Sequence, residues 1–380
     1  MTVRIAKPSV NIREKLAELE RPIGLNGQAL LATKTPQQAF DLLGARNRNR
    51  VINGDMRIDQ RNNGTATTTH GSFPVDRWMI IKDTGSGSFT IQQSSTAPAK
   101  FYQSLLFTVG TAYTPSAGEN NFLRYIIEGL TLADLNWGSS NAAPVTLSFW
   151  VRSSLSGTFG GSIRNGSTNR SYPFLYTISN ANTFEYKIIT IPGDVAGTWV
   201  TTNASSMEIS WGLSVGSSFS GTANAWVGTN FISTSGAINL TSTAGATFYL
   251  TGVQLEAGKV ATPFEYRSYG EELALCQRYY QEMNMADSET IASGPSISSN
   301  RYRFLLPTPV TMRSLPTVAT TGSLTFRTGG ADYAIANMSS LTLNSNGIIV
   351  GGTATSVGNA LSGSMHTSGG TSKITLSAEF

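Results

Sequence analysis

The chain has 380 residues, long enough for two or three domains with separate cores, and a formal net charge of +4. That charge sits in the first 50 residues, where 9 Lys/Arg meet 4 Asp/Glu; the rest carries 18 against 19, which excludes a basic nucleic-acid-binding body. Sparse charge with abundant Gly, Ser, Thr and Asn favours strands and turns, and a single cysteine, Cys276, excludes an intrachain disulfide. The opening MTVRIAKPSV lacks the apolar core of a signal peptide, and no apolar run reaches the length of a membrane span. The expectation is synthesis in a reducing cytoplasm without membrane insertion.

Helical grammar opens the chain. In NIREKLAELE, Ile12, Leu16 and Leu19 share one face, with Asn11 and Glu14 placed as a capping box. In TPQQAFDLLG, Thr35 caps, Pro36 takes the first helical position, Gln38 completes the box and Gly44 stops a helix carrying Phe40 and Leu43. Two short helices cannot bury their apolar stripes alone. Residues 1–50 are therefore expected to be an attachment segment, with Ile12, Leu16, Leu19, Phe40 and Leu43 as its contacts. The basic ARNRNR that follows (Arg46, Arg48, Arg50) is expected to be a solvated linker or a contact to an acidic surface rather than a nucleic-acid site.

Over residues 51–270 the period changes to two. VTLSFWVRS sets Val145, Leu147, Phe149 and Val151 on one face, MEISWGLSV does the same with Met207, Ile209, Trp211, Leu213 and Val215, and TFEYKII groups Phe184, Tyr186 and Ile188. Turn clusters such as DTGSGS and RNGSTN separate these runs. Alternating strands without intervening helices predict an antiparallel β-sandwich of the jelly-roll kind. Asp76-Arg77 reads as a local ion pair at a strand start. Residues 271–284 predict a connecting helix, with Leu273, Cys276 and Tyr280 along one side. Residues 285–380 predict a smaller C-terminal β domain, in which the polar GGTATSVGNALSGSMHTSGG is expected to form distal loops.

Chemistry-bearing patterns are few. Only His70 and His366 exist, and Cys276 has no partner, so zinc has no ligand set. The body's carboxylates form no recognisable glycosidase pair, and no GxSxG, HExxH or phosphate-binding loop is present. A non-enzyme without a cofactor is expected. Exposed aromatic faces are the remaining signal, because sugars stack on flat rings with hydrogen-bonding groups nearby. Trp150 points away from the apolar face of its strand, and Trp137, Tyr172, Trp199 and Trp226 lie near turns. These five are glycan-contact candidates. Cover by a loop or a neighbouring subunit is the competing fate of each.

Two stretches carry a family likeness. VINGDMRIDQRNNG followed by FPVDRW resembles the opening strand of lectin-like jelly rolls in bacteriophage tail proteins. YLTGVQLEAGKVATPFEYR followed by EELALCQRYYQ is similar to the closing strand and exit helix of those domains, FLLPTPVTMRSLPTV to the short β module after it, and AKPSVNIREKLAELE to fibre anchoring segments. The resemblance implies a virion protein made in a bacterial host. It would be a homotrimeric tail fibre or spike, bound to tail or capsid proteins by its N-terminus and adhering to a host-surface glycan. Two alternatives stay open: a capsid-attached head fibre or decoration protein, and a polysaccharide-degrading spike. It also implies that chain entry and exit share one end. Val253 and Leu255 would face inward and Gln254 and Glu256 outward, with Phe264 and Tyr266 sealing the barrel bottom. A structural calcium near Asn53, Asp55 and Glu256 is the alternative to no cofactor, a structural turn accounting equally well for Asn53-Gly54, and a trimer packed through Leu273, Cys276 and Tyr280 is expected.

Overall fold

In a computed structural model that describes residues 48–83, 87–298, 300–344, 347–354, 362–367 and 370–380, the alternating runs become two five-stranded antiparallel sheets. The first sheet orders β1 (Trp78–Lys82), β4 (Asn120–Glu128), β9 (Ser205–Val215), β6 (Gly157–Asn165) and β7 (Ser171–Ile178). The second orders β2 (Phe89–Ser94), β3 (Ser104–Val109), β12 (Thr247–Ala257), β5 (Val145–Ser153) and β8 (Glu185–Ile191). A two-stranded ribbon, β10 (Ser220–Gly221) with β11 (Ser233–Thr234), and a four-residue helix α1 (Gly129–Leu132) lie in the connections. Expected attachment contacts Ile12, Leu16, Leu19, Phe40 and Leu43 lie outside the described residues.

The period of two is what fills the space between the sheets. Val145, Leu147, Phe149 and Val151 are all fully buried and meet Trp211, Ile209 and Trp78 from the other sheet. Phe149 stands edge-on to Trp211 at 5.8 Å, and Trp211 packs on Trp78 at 5.3 Å, so the aromatic layer joins the two sheets.

The predicted connecting helix is shorter than expected. It forms α2 (Tyr269–Gln277), started by a capping box in which the Ser268 hydroxyl accepts from the Glu271 amide and the Glu271 carboxylate accepts from the Ser268 amide. Tyr280–Met285 is instead a strand, β13, paired with the last strand of the chain from Tyr280↔Ser377 to Met285↔Ser372. No Gly or Pro marks this change; a distant partner strand overrides local helical grammar there. Cys276 and Tyr280, expected at a threefold axis, are buried within the chain, and Leu273 is half-buried.

The C-terminal unit has a three-stranded sheet, β13 with β21 (Ser372–Ser377) and β16 (Thr317–Thr321). Beside it is a closed barrel of β14 (Thr290–Ser298), β15 (Arg301–Leu306), β19 (Gly347–Ala354), β18 (Ala331–Asn344), β17 (Leu324–Thr328) and β20 (Ser362–Thr367). β20 and the end of β19 fall in the stretch expected to be distal loops. Met365 is fully buried there, so one apolar side chain turns a polar run into core strand.

Charged residues clasp the two units together. Arg77, held at φ 73° and 3 % exposed, pairs with Glu379 near the C-terminus, donates to the Ile126 carbonyl at 2.7 Å, and lies 3.5 Å from the Tyr279 ring centre. Arg61 bridges Asp76 and Glu379 at 3.1 and 3.0 Å over the Tyr280 ring. Asp76 therefore pairs with Arg61 inside its own unit and Arg77 with Glu379 across the junction, which corrects the local pair expected of them. Arg278 donates two hydrogen bonds to Glu128, and Arg313 and Asn203 exchange side-chain-to-carbonyl hydrogen bonds.

Burial raises Asp55 and Asp76 from 3.8 to about 6, against the opposing pull of Arg57 and Arg61. Between pH 4 and 6 the folded chain thus holds protons that the unfolded chain has released. The stability contributed by these groups is full at acid pH and declines as pH rises through about 6. The expected result is a stability difference between pH 5 and pH 7 that shrinks by about 1 kcal/mol in Asp76→Asn, read from urea midpoints at both pH values. An unchanged difference would remove Asp76 as its source.

Candidate binding cleft on the outer face of the second sheet

Because Val145 to Val151 fill the core with alternate residues, the residues between them must face outward. Ser148, Trp150 and Arg152 do so on β5. Register then chooses their neighbours: Trp150 lies between Thr251 of β12 and Tyr186 of β8, Ser148 beside Ile188, and Arg152 beside Tyr249. Trp150 and Tyr186 have ring centres 5.4 Å apart, tilted by 40°. Tyr186 and Ile188 are 40 % and 52 % exposed, so this patch is open to solvent.

A wall rises beside it. Phe101, Phe264 and Tyr266 form a triangle of rings with centres 5.0 to 5.6 Å apart, and the Tyr266 hydroxyl donates to the Lys100 carbonyl at 3.1 Å. Tyr266 is half exposed, so these aromatics line a cleft rather than seal the barrel bottom. Wall and platform together enclose about 350 Å³. The floor depends on a bulge in β12, where pairing slips between Thr251 and Gln254. Gly252 sits in the bulge at φ 60°, and a Cβ there would lie 2.7 Å from Phe101 and 3.0 Å from Trp150. A side chain at this point would collide with both rings.

The other aromatic candidates gather elsewhere. Trp137, Trp199 and Trp226 pack edge to face at 4.6, 5.4 and 5.7 Å, and Tyr172 lies 5.3 Å from Trp226. Each indole N–H is engaged: Trp137 with the Ala143 carbonyl, Trp226 with the Pro192 carbonyl, and Trp199 shared between Asp194 and the Ala196 carbonyl. Tyr172 is 4 % exposed. The cluster pins loops to one end of the sandwich and leaves a recess of about 220 Å³ beside Trp137 and Trp199. Phe101, Tyr186, Phe264 and Tyr266 were absent from the sequence-derived candidates, because only strand register and the path of the exit segment bring them to Trp150.

The expected calcium ligands make protein contacts, except that the buried Asp55 Oδ1 has no hydrogen-bond partner among the described residues. Asp55 pairs with Arg57, Glu256 accepts from the Thr262 amide at 2.7 Å and hydroxyl at 2.5 Å, and the Asn53 side chain bonds backbone on both sides. Among the described residues no group of three or more His, Cys, Asp or Glu is arranged to hold a metal ion. Gln254 and Glu256 do leave the core face, as expected, but segment 262–265 covers them and both are buried. The body's carboxylates are likewise engaged: Glu128 with Arg278, Asp134 with Arg50, Asp194 with Arg170, Glu185 with Lys187 and Glu208 with Arg164. No described helix is long and apolar enough to cross a membrane.

The sequence matches no family model and no curated protein. Among solved structures the chain is similar to a protein described as sugar-binding from Bacteroides thetaiotaomicron, at 11% identity and a TM-score of 0.33 over 55% of this chain and 100% of that one. It is also similar to the enzymatically active domain of tailspike protein 4 of bacteriophage CBA120, at 15% identity and 0.29 over 55% of this chain and 21% of that one. A third likeness is the family 11 carbohydrate-binding module of Clostridium thermocellum, at 12% identity and 0.27 over 52% and 97%. With TM-scores this low the likenesses carry no weight for function, which has to come from the chemistry of the site itself.

Proposed function

We propose that this chain is a non-catalytic glycan-binding protein whose receptor surface is the cleft around Trp150. The observation that carries this reading is a solvent-open indole–phenol pair, Trp150 with Tyr186, facing a wall of three further rings. Stacked rings bury the apolar faces of a pyranose, while the exposed phenols of Tyr186 and Tyr266 offer hydrogen bonds to its hydroxyls. Among the described residues no carboxylate lines this cleft, which supports adhesion over hydrolysis.

The sequence resemblance extends the proposal to a virion: a homotrimeric tail fibre or spike, anchored through residues 1–50 and presenting the sandwich to host glycan. Repetition of weak sites on one trimer and again on one particle would supply avidity. With Cys276 and Tyr280 buried inside the chain, exposed Leu130 and Tyr269 take their place as proposed subunit contacts.

Titration of the full chain with isolated host capsule and lipopolysaccharide tests the reading. Trp150→Ala should weaken binding by about 2 kcal/mol, roughly thirtyfold, with the melting temperature held. Binding unaffected by both Trp150→Ala and Tyr186→Ala would overturn the assignment of the cleft. Release of reducing ends by the wild type would overturn the adhesin in favour of an enzyme. Antibody labelling of intact particles checks the virion placement separately.

A further inference from the structure

The opposite face of the sandwich carries a second cleft, of about 550 Å³, on the outer side of the first sheet. Its floor follows from register. Met79 pairs with Arg124, Arg124 with Ser210 and Ser210 with Ser162, while Glu208 pairs with Arg164 in the adjoining row. Met79, Arg124, Arg164 and Glu208 of these rows line the cleft. Phe219, Asn230 and Ile232 stand along one rim and His70 along the other.

The two arginines are not equivalent. Arg164, 3 % exposed, donates to Glu208 at 2.7 Å, to the Asn230 Oδ1 at 2.8 Å and to the Ser210 hydroxyl at 3.2 Å. It is held as structure. Arg124 donates only to the Met79 Sδ, a weak acceptor, at 2.9 Å, and its Nε has no hydrogen-bond partner among the described residues. Glu208, already bound to Arg164, is 3.9 Å away. Two guanidiniums against one carboxylate leave one surplus positive charge, on a side chain 24 % exposed to the cleft. A guanidinium set on a thioether lacks the planar, bidentate acceptor that suits it best.

We propose that this cleft binds an acidic saccharide, its carboxylate paired with Arg124 and its ring hydroxyls met by Asn230 and the cleft rim. A single surplus charge matches a monoanionic uronate better than a doubly charged phosphate. The site is separate from the Trp150 cleft and stands whether or not that cleft binds glycan.

Isothermal titration of the full chain with tetragalacturonate, and with its fully methyl-esterified neutral counterpart, tests it. The acidic oligomer should bind at least about tenfold more tightly than the ester, an advantage that Arg124→Gln abolishes and Arg124→Lys partly keeps. Trp150→Ala should leave that advantage unchanged, so failure here and failure of the Trp150 reading are distinguishable. Thermal melting of each variant separates lost binding from lost fold; if Arg124→Gln fails to fold, Arg124→Met takes its place. Equal affinity for acid and ester, full acid binding by a folded Arg124→Gln, loss of acid binding in Trp150→Ala, or displacement of the oligomer by inorganic phosphate at equal concentration would each overturn the proposal.

Discussion

Arg77→Met lowers stability by about 3–5 kcal/mol at pH 7, an effect expected from leaving a buried charge without its partner. Glu379 is left with Arg61 alone, which must also serve Asp76, so two carboxylates compete for one guanidinium in a site closed to water. The loss extends to packing, because Arg77 covers the Tyr279 ring and lies within reach of Tyr125 and Phe380. Glu379→Gln should cost a comparable amount by stranding Arg77, whose remaining oxygen partner in the structure is the Ile126 carbonyl. Arg77→Met/Glu379→Gln should recover much of either loss, since neither charge then needs a partner. Urea unfolding of the four proteins measures the coupling. Calorimetry should show the sandwich and the C-terminal unit melting apart once the clasp is cut. A cost below about 1 kcal/mol for Arg77→Met would mean that the junction is held by apolar contact, and the clasp would be incidental.

The sandwich was legible because its signal is local and repeated. Each strand from Val145 to Val151 or Met207 to Val215 declares its buried face through a period of two, whatever its neighbour. Trp150 was legible for the same reason, as the large ring on the wrong side of an apolar strand. Its companions were not. Tyr186 is set by the pairing of β5 with β8, Phe101 by a loop before β3, and Phe264 and Tyr266 by the route of the chain after β12. None of these relations is encoded in spacing along the chain. The helix boundary failed in the opposite sense: QRYYQEM has side chains compatible with either state, and the choice is made by β21 almost a hundred residues later. The pairing of Arg77 with Glu379 was invisible for the same reason, since Asp76 offered a nearer partner in sequence that geometry denies it.

Asn53→Ala is expected to destabilise the chain by about 3 kcal/mol or more, because a fully buried amide there replaces missing secondary structure. Its Nδ2 donates to the Ile58 and Asp76 carbonyls at 2.8 and 2.9 Å, and its Oδ1 accepts from the Ile58 amide at 2.9 Å. Removing the side chain strands the Ile58 amide and the Asp76 carbonyl and leaves the Ile58 carbonyl only the Asp76 amide, at 3.0 Å. Its main chain is equally committed: the amide donates to Glu272 at 2.5 Å on α2, and the carbonyl accepts from the Trp78 indole at 2.9 Å. Beside it Gly54 lets the chain run against β12, where a Cβ would fall 2.2 Å from the Val253 carbonyl oxygen. Entry segment, closing strand and exit helix thus meet at one residue. Asn53 also holds φ 57°, so substitutions separate conformation from hydrogen bonding. Asn53→Gly should recover about 1 kcal/mol relative to Ala through the left-handed backbone and no more. Asn53→Asp keeps the acceptor for Ile58 but turns an oxygen toward two carbonyls, and should be no better than Ala. Denaturant midpoints for the three variants give the order, and a Gly variant as stable as the wild type would show that the backbone angle, not the amide, closes the fold.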